Sequence, residues 1–462
     1  MRLSPVFMLI AGIIGLAGCA TPDTKTEWGL QTILAQPLVA DSILRDGDVL
    51  SFQLPTNVPN QSIQVEAACS SKRLRLTYLN SNQRVYSTGS AQYGPGSGIP
   101  EKLRPILAAN PSFIQACAQT PTPDWRRLSA DDHGIWLLLD RNSLSKAGDE
   151  VRFWGAIDSP VIRQSPPHNA PYAQQRERYA VSCGAGTFKR LASYSLDASN
   201  QVSDGGVDRS PPSQAIASGN PQQRALLAKV CEGADKVAGL EPFTPRLIVP
   251  LPVTLPAVAP AILAAIEQLN LDPPSRSLKY LRVTGTSTFR GVTEPVKEER
   301  FFSSDPVSGQ LNVALREEDG ETYTAGWRGF LALYSRASFT EGPRGMQQTT
   351  TLTQLSYSGD WKNLPVGETV SYTRAFSVVN NRAGTHVSKP ATSDCRVERE
   401  LAASELHPRL LGKAKALACQ DRAEEVDPVS RIYYLEDYGY FFRASLDKNP
   451  YSYNDHRIDT FE

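Results

Sequence analysis

The chain has 462 residues, and Lys plus Arg balance Asp plus Glu at 48 each, so its formal net charge at pH 7 is zero. A neutral chain has no basic excess with which to hold nucleic acid, so no nucleic-acid partner is predicted. The length predicts roughly three domains of about 150 residues each. The 34 prolines and 32 glycines favour β-rich domains with many turns.

The N-terminus has the pattern of an export signal. A positive end precedes an apolar run over 6–16, which is shorter than a membrane-spanning helix. Residues 16–19 (LAGC) then resemble the lipobox of bacterial lipoproteins. The resemblance implies a signal peptide over 1–18, acylation of Cys19 (palmitate is one such group) and, with Ala20 following, an outer-membrane location with the lipid anchor as membrane partner. The alternative is an ordinary secretory signal with an incidental cysteine.

Two stretches of the chain share one order of features. Residues 42–48 (SILRDGD) and 143–149 (SLSKAGD) each open a stretch that runs through apolar strands to a cysteine, and a second cysteine follows 48 residues later. Export to an oxidising compartment permits disulfides, and six cysteines allow 15 pairings. The repeat selects one set, in which the pairs are Cys69 with Cys117, Cys183 with Cys231 and, by elimination, Cys395 with Cys419. A zinc site needs closely spaced ligands, which the sequence lacks, so neither a metal nor a cofactor is predicted.

The predicted order of domains begins with a polar tether over 19–27. A first small unit, 28–123, has alternating strands and a helical segment over 102–118. A second unit, 124–233, has strands and a closing helix over 220–231, with Asn220 as its N-cap. Each unit is predicted to be a small antiparallel sheet with a helix, and each is expected to fold separately.

The second unit carries a loose pattern of aromatic, basic and cysteine residues. The pattern consists of Trp136, Asp140, Ser143, Leu144, Gly148, residues 151–154, Tyr179, Cys183, Lys189, Arg190, Tyr194 and Cys231. In this pattern the unit resembles the surface-adhesin protein E family of bacterial lipoproteins. The resemblance covers about a quarter of the chain and implies a compact antiparallel sheet with a packed helix. The family's named member binds host matrix proteins, which implies a macromolecular partner.

Basic side chains recur on one strand of each unit. They are Lys72, Arg73 and Arg75 in the first unit and Lys189 and Arg190 in the second. Such a row is a candidate surface for a host matrix protein or for an envelope polysaccharide or protein. The alternative is an ordinary solvated sheet face.

The rest of the chain is predicted to be a proline-rich linker over 234–275 with one helix at 261–271, and then a β-rich C-terminal domain over 276–462. Strands separated by turn residues predict an antiparallel sandwich or meander there, so the whole chain is classed as α+β and β-rich multidomain. The predicted strands are 278–289, 298–303, 310–316, 323–334, 349–357, 368–379 and 432–444, with a helix between Cys395 and Cys419.

No pattern of catalytic residues is evident in the sequence. It contains neither a zinc-protease motif nor a nucleophile elbow, so no enzyme is predicted. The adjacent acids Glu298 and Glu299 are expected to be solvated, and the aromatic run over 433–442 is expected to be core. The expected function is a lipid-anchored, non-enzymatic binding or adhesion module. The alternative is a periplasm-facing assembly factor, or a carrier of an apolar ligand in the C-terminal domain.

Overall fold

A computed structural model describes most of the chain between residue 24 and the C-terminus. The described residues are 24–70, 74–80, 84–86, 97–99, 101–165, 170–198, 200–250, 255–289, 291–304, 311–317, 320–339, 346–381, 383–422, 429–447 and 452–462. They fall into two compact units, one between Ala17 and Leu251 and the other from Pro252 onward. The prediction of a β-rich chain with several sheets is confirmed. Cys19 lies outside the described residues.

The N-terminal unit contains five helices and fifteen strands among its described residues. Its helices are α1 (Thr24–Leu34), α2 (Arg104–Ala108), α3 (Pro111–Gln119), α4 (Pro221–Cys231) and α5 (Ala234–Ala238). Its strands are β1 (Leu44–Asp46), β2 (Val49–Pro55), β3 (Ser62–Ala68), β4 (Leu74–Asn80), β5 (Arg84–Tyr86), β6 (Ser97–Gly98), β7 (Trp125–Ala130), β8 (Trp136–Asp140), β9 (Ser145–Ala147), β10 (Glu150–Ser165), β11 (Ala170–Ser182), β12 (Thr187–Leu196), β13 (Val202–Val207), β14 (Gln214–Ala215) and β15 (Glu241–Pro242). Helix α1 begins at Thr24, within the stretch that was expected to be a tether.

Two antiparallel sheets form the N-terminal unit, and they share an order of elements. The first sheet runs β1–β2–β3–β4–β5, with β6 beside β4. The second runs β13–β12–β11–β10–β8–β7–β15, with β9 beside β10 and β14 beside β12. In each sheet a three-residue strand, β1 or β9, pairs with a longer strand, β2 or β10. Two further strands follow, which are β3 and β4 in the first sheet and β11 and β12 in the second. A two-residue strand, β6 or β14, pairs with the start of the fourth strand, β4 or β12. Helix α3 closes the first series and α4 closes the second.

Asparagine–proline pairs begin both closing helices. The side chain of Asn110 accepts from Ser112 at the start of α3, and that of Asn220 accepts from Gln223 at the start of α4. An asparagine N-cap satisfies a backbone N–H that would otherwise lack a partner, and proline suits the first helical position because it has no N–H to satisfy. The predicted cap at Asn220 is confirmed, whereas sequence reasoning missed the matching one at Asn110.

The two sheets share part of their cores. Leu44 of the first sheet packs with Trp125, Trp154 and Tyr194 of the second in one buried cluster. Glu66 on β3 accepts the backbone N–H of Val202 at 2.7 Å. The two predicted units therefore lie within a single compact body, and they are not divided near residue 123.

The proline-rich segment expected to be a linker packs against this unit over its first part. Val237 of α5 is fully buried, and Phe243 contacts Trp136 with ring centroids 5.9 Å apart. Arg246 donates to the Asp158 carboxylate at 2.6 Å and lies over the Trp136 ring. Buried apolar and charge-assisted contacts of this kind fix the segment in place.

The C-terminal unit contains one helix and thirteen strands among its described residues. The helix is α6 (Pro260–Glu267), and the strands are β16 (Tyr280–Phe289), β17 (Val292–Ser304), β18 (Leu311–Glu317), β19 (Gly320–Trp327), β20 (Leu331–Phe339), β21 (Met346–Ser358), β22 (Thr369–Asn380), β23 (Gly384–Val387), β24 (Ala391–Ala402), β25 (Lys413–Asp421), β26 (Ser430–Leu435), β27 (Tyr440–Leu446) and β28 (Ser452–Phe461). Helix α6 packs through Ile262 onto the core of this unit.

These strands form one closed antiparallel sheet of twelve strands, with β23 as a side strand on β22. Successive strands pair along the chain as in a meander, and the first strand, β16, pairs with the last, β28. One buried cluster holds Trp327, Phe330, Trp361 and Phe441. A second holds residues of β16, β17 and β28 together with residues of β25–β27.

Three details of the C-terminal prediction are wrong. The strand predicted over 323–334 is two strands, β19 and β20, and that predicted over 432–444 is also two, β26 and β27. Turn glycines with positive φ, Gly329 at 72° and Gly439 at 55°, reverse the chain between them. The segment from Cys395 to Cys419 is a strand hairpin whose non-strand part holds only a three-residue 3₁₀ turn, Ala403–Glu405.

Candidate functional site

The six described cysteines form three disulfides, as the repeat predicted. Their Cα–Cα distances are 5.7 Å for Cys69–Cys117, 5.6 Å for Cys183–Cys231 and 3.9 Å for Cys395–Cys419. Cys69 directly follows β3 and is bonded to Cys117 in α3. Cys183 directly follows β11 and is bonded to Cys231 in α4. None of these six thiols is therefore free to act as a nucleophile.

Of the five predicted basic residues, the structure describes the side chains of Lys189 and Arg190. Lys72 and Arg73 lie outside the described residues, and for Arg75 only the backbone position on β4 is described. Lys189 and Arg190 are adjacent on β12, so their side chains point to opposite faces of the sheet. The Arg190 guanidinium pairs with the Glu177 carboxylate at 3.0 Å.

A cleft of 240 Å³ lies where the two sheets of the N-terminal unit meet. We call it the junction cleft. Its walls include both copies of the repeated opening segment and the connection between them. The lining residues include Ile43, Arg45, Thr120, Asn142, Ser145, Trp154 and Arg178.

Two arginines line the junction cleft and are fixed by backbone oxygens. Arg45 donates to the Cys117 carbonyl at 3.0 Å, and Arg178 donates to the Ala40 carbonyl at 3.0 Å. Burial lowers the pKa of the Arg178 guanidinium, although the nearby Asp41 carboxylate opposes that shift. The arginines are therefore held in place as cationic donors on the cleft wall.

An acid on the cleft wall, Asp140, has a structural role. Burial raises the pKa of its carboxyl, and backbone N–H groups of Asp124 and Asn142 donate to it at 2.8 and 3.1 Å. A second carboxylate that could serve as an acid–base partner does not line the described cleft. With an indole, amides, a hydroxyl and arginines on its walls, the cleft suits binding better than proton transfer.

A second candidate site lies in the core of the C-terminal unit, and we call it the buried charge cluster. It comprises Glu298 and Arg300 on β17, Arg374 on β22, Asp421 on β25, Arg443 on β27 and His456 on β28. Glu298 is 0% exposed and accepts from Arg300 at 2.6 Å, so the expectation that it is solvated is wrong. Residues two apart on a strand point to the same face of the sheet. The spacing of Glu298 and Arg300 could therefore have indicated that these two side chains pair.

The cluster continues across the core. Arg300 donates to the Tyr440 hydroxyl at 3.0 Å, which joins two strands that are not neighbours in the sheet. Arg374, which is 4% exposed, pairs with Asp421 at 3.0 Å. Burial lowers the pKa of His456, which is 7% exposed. Sequence reasoning missed this site because its members come from five strands.

In comparisons with known proteins, no family model, no curated protein and no solved structure matches the chain. Within the described ranges, no group of three or more His, Cys, Asp or Glu residues could hold a metal ion. Among the helices that the structure describes, none is both long and apolar enough to cross a membrane.

Proposed function

We propose that this chain is a lipid-anchored protein of the bacterial outer membrane that binds a macromolecular partner without catalysis. In this proposal Cys19 carries the anchor and residues 28–233 are tandem copies of a unit like surface-adhesin protein E. Three disulfides support an oxidising compartment, in which such bonds persist. The junction cleft is the proposed contact site for the partner.

The observation that carries the proposal is the composition of the junction cleft. Ile43 and Arg45 come from the first opening segment, and Ser145 comes from the second, so the cleft requires both copies. Trp154, a core residue that is 6% exposed, borders the cleft, and Arg178 supplies a fixed cation. An aromatic residue beside a cation and amides is a combination that protein and polysaccharide partners use.

The alternative of an apolar carrier in the C-terminal unit has less support. Trp327, Phe330 and Trp361 pack against one another with ring centroids 5.2–6.2 Å apart. These rings occupy space that an apolar ligand would need. A periplasm-facing assembly role uses the same cleft and differs from adhesion only in which face of the membrane the protein occupies.

A photoreactive residue placed in the cleft tests the binding proposal. Ser145 lines the cleft, whereas its exposed neighbour Lys146 does not, so the two positions form a matched pair. On irradiation of intact cells, we expect a defined high-mass adduct from position 145 and none from position 146. Equal labelling at both positions, or none at 145, would contradict a partner in the cleft.

The same cells test the anchor and the membrane face. We expect Cys19→Ser to move the protein from the membrane fraction to the soluble fraction. Digestion of intact cells that removes the wild-type protein would support a surface adhesin. Survival until the outer membrane is opened would support the periplasmic role, and unchanged fractionation of Cys19→Ser would contradict the lipid anchor.

A further inference from the structure

The junction cleft has two guanidinium groups fixed at its wall. Arg45 donates through Nη1 to the Thr120 carbonyl at 2.5 Å, and Arg178 donates through Nη1 to the Ala40 carbonyl at 3.0 Å. Thr120 and Ala40 themselves line the cleft. These contacts therefore hold both cations against one cavity.

Each guanidinium keeps donors that no described residue uses. The three hydrogen bonds of Arg45 leave from Nε and Nη1, so its Nη2 group stays available. In Arg178 only Nη1 donates, and its Nε and Nη2 groups make up what we call the open fork. The Arg178 side chain is 21% exposed, so a ligand can reach it. Two neighbouring N–H groups of a guanidinium match the two oxygens of a carboxylate.

The carboxylates at the cleft have other contacts. Among the described residues that line it, Asp140 is the one acid, and its carboxylate accepts two backbone N–H groups. Asp41 is shared between Arg152, at 3.5 Å, and Nη1 of Arg178, at 3.6 Å. An acid from a partner would therefore meet the open fork without having to displace an existing hydrogen bond.

The size and surroundings of the cleft favour a single carboxylate on a protein. Its 240 Å³ is below the roughly 300–1,000 Å³ of sites that enclose small molecules, which favours one side chain presented by a larger partner. Asp41 and Asp124 directly follow lining residues, and they would repel a polyanionic polysaccharide more than a single carboxylate. Trp154 is 6% exposed and offers little ring surface on which a sugar could stack.

We propose that the junction cleft binds an aspartate or glutamate side chain of a protein partner. This inference rests on the proposed function, because it names the chemistry that the partner presents to the same cleft. The carboxylate accepts from the open fork of Arg178, and Nη2 of Arg45 supplies a second cationic donor to the same cavity.

A short acidic peptide tests this chemistry on the purified full chain. A photoreactive residue in place of Ser145 is irradiated with end-capped triglutamate or triglutamine, and adducts are measured by mass spectrometry. We expect saturable labelling by triglutamate, at least about tenfold weaker labelling by triglutamine, and loss of labelling as NaCl rises from about 50 to 500 mM. Equal labelling by the two peptides would overturn the proposal. A sulfated disaccharide that displaces triglutamate better than unlabelled triglutamate does would also overturn it.

Arginine variants locate the bound carboxylate. Arg178→Gln should weaken triglutamate labelling at least about tenfold, because the charge and the open fork are both lost. Arg209→Gln is the matched control, because Arg209 is an exposed arginine of the same unit that does not line the cleft. If Arg178→Gln does not fold, Arg178→Lys keeps the charge without the fork and should still weaken labelling. Full labelling of a folded Arg178 variant would overturn the assignment.

The same variant in intact cells separates this inference from the proposed function. We expect Arg178→Gln to abolish the high-mass adduct that forms from position 145. An adduct that persists in Arg178→Gln would overturn the carboxylate contact and leave a partner in the cleft. Triglutamate labelling of the purified chain without any adduct in cells would support the carboxylate site and contradict the proposed function.

Discussion

At the scale of single residues, Ser42 and Ser143 hold equivalent places in the two copies. The hydroxyl of Ser42 donates to the Val39 carbonyl at 2.5 Å and accepts the N–H of Gln53 at 2.8 Å. Ser143 donates to Asp140 and accepts from Trp154, both at 2.8 Å. Ser42 therefore links the turn before β1 to strand β2, and Ser143 links the turn before β9 to strand β10.

Alanine at either serine should destabilise the N-terminal unit. Ser42→Ala and Ser143→Ala each leave one backbone N–H, that of Gln53 or of Trp154, without its hydroxyl partner, which costs about 1–3 kcal/mol. Ser145→Ala is the control, because Ser145 is exposed and should change the free energy of unfolding by less than about 0.5 kcal/mol. Urea unfolding of the three variants measures this. Equal stability of Ser143→Ala and Ser145→Ala would show that the bonds contribute little.

Sequence reasoning succeeded for residues when the repeat supplied a second copy for comparison. The disulfide Cys183–Cys231 was predictable because Cys69 and Cys117 have the same spacing. It failed for Glu298, because its burial depends on strands that are distant in the chain. That Glu299 follows Glu298 in the sequence does not indicate which side chains of distant strands surround Glu298.

At the scale of elements, the hairpin between β19 and β20 depends on Gly329. Its φ is 72°, and a Cβ atom there would lie 2.2 Å from Cε2 of Tyr440. Arg328 also has positive φ, at 49°, so two successive residues adopt the left-handed region. The usual signal for such a turn is Asn or Asp before Gly, and Arg before Gly does not resemble it. This explains why one strand was predicted over 323–334.

Gly329→Ala should destabilise the C-terminal unit more than an alanine at another left-handed glycine. Left-handed strain costs about 1–2 kcal/mol, and overpacking against buried Tyr440 adds about 1–3 kcal/mol. Gly291→Ala is the control, because Gly291 also has positive φ but a Cβ atom there would meet nothing within 4 Å. Urea unfolding should therefore place Gly329→Ala below Gly291→Ala. The reverse order would mean that Tyr440 moves aside at little cost.

At the scale of the whole molecule, the pairings that define the architecture are the least local ones. Successive hairpins from β16 to β28 could be expected from alternating residues and turns. The closing pair, with Leu281 opposite Phe461, joins the first and last strands of the unit and has no local signature. The contacts between the two N-terminal sheets are equally non-local, so the sequence indicated two separate units where one compact body forms.

Removing the first copy should therefore destabilise the second. Arg176 is 1% exposed and pairs with Asp46 of the first copy at 3.2 Å. A fragment of residues 124–250 loses this partner and the contact of Leu44, whereas a fragment of residues 24–250 keeps both. The shorter fragment should unfold with about 2–4 kcal/mol less free energy, because a cation that is left buried without its partner is costly.

Asp46→Asn in the longer fragment separates the charge from the packing. It removes the ion pair but keeps Leu44, so its stability in urea should fall between those of the two fragments. The cost of losing this pair is below that of a wholly buried one, because Asp46 keeps contact with water. Equal stability of the two fragments would mean that the copies fold independently. In that case the junction cleft would rest on an interface that contributes little, and a partner could separate its walls.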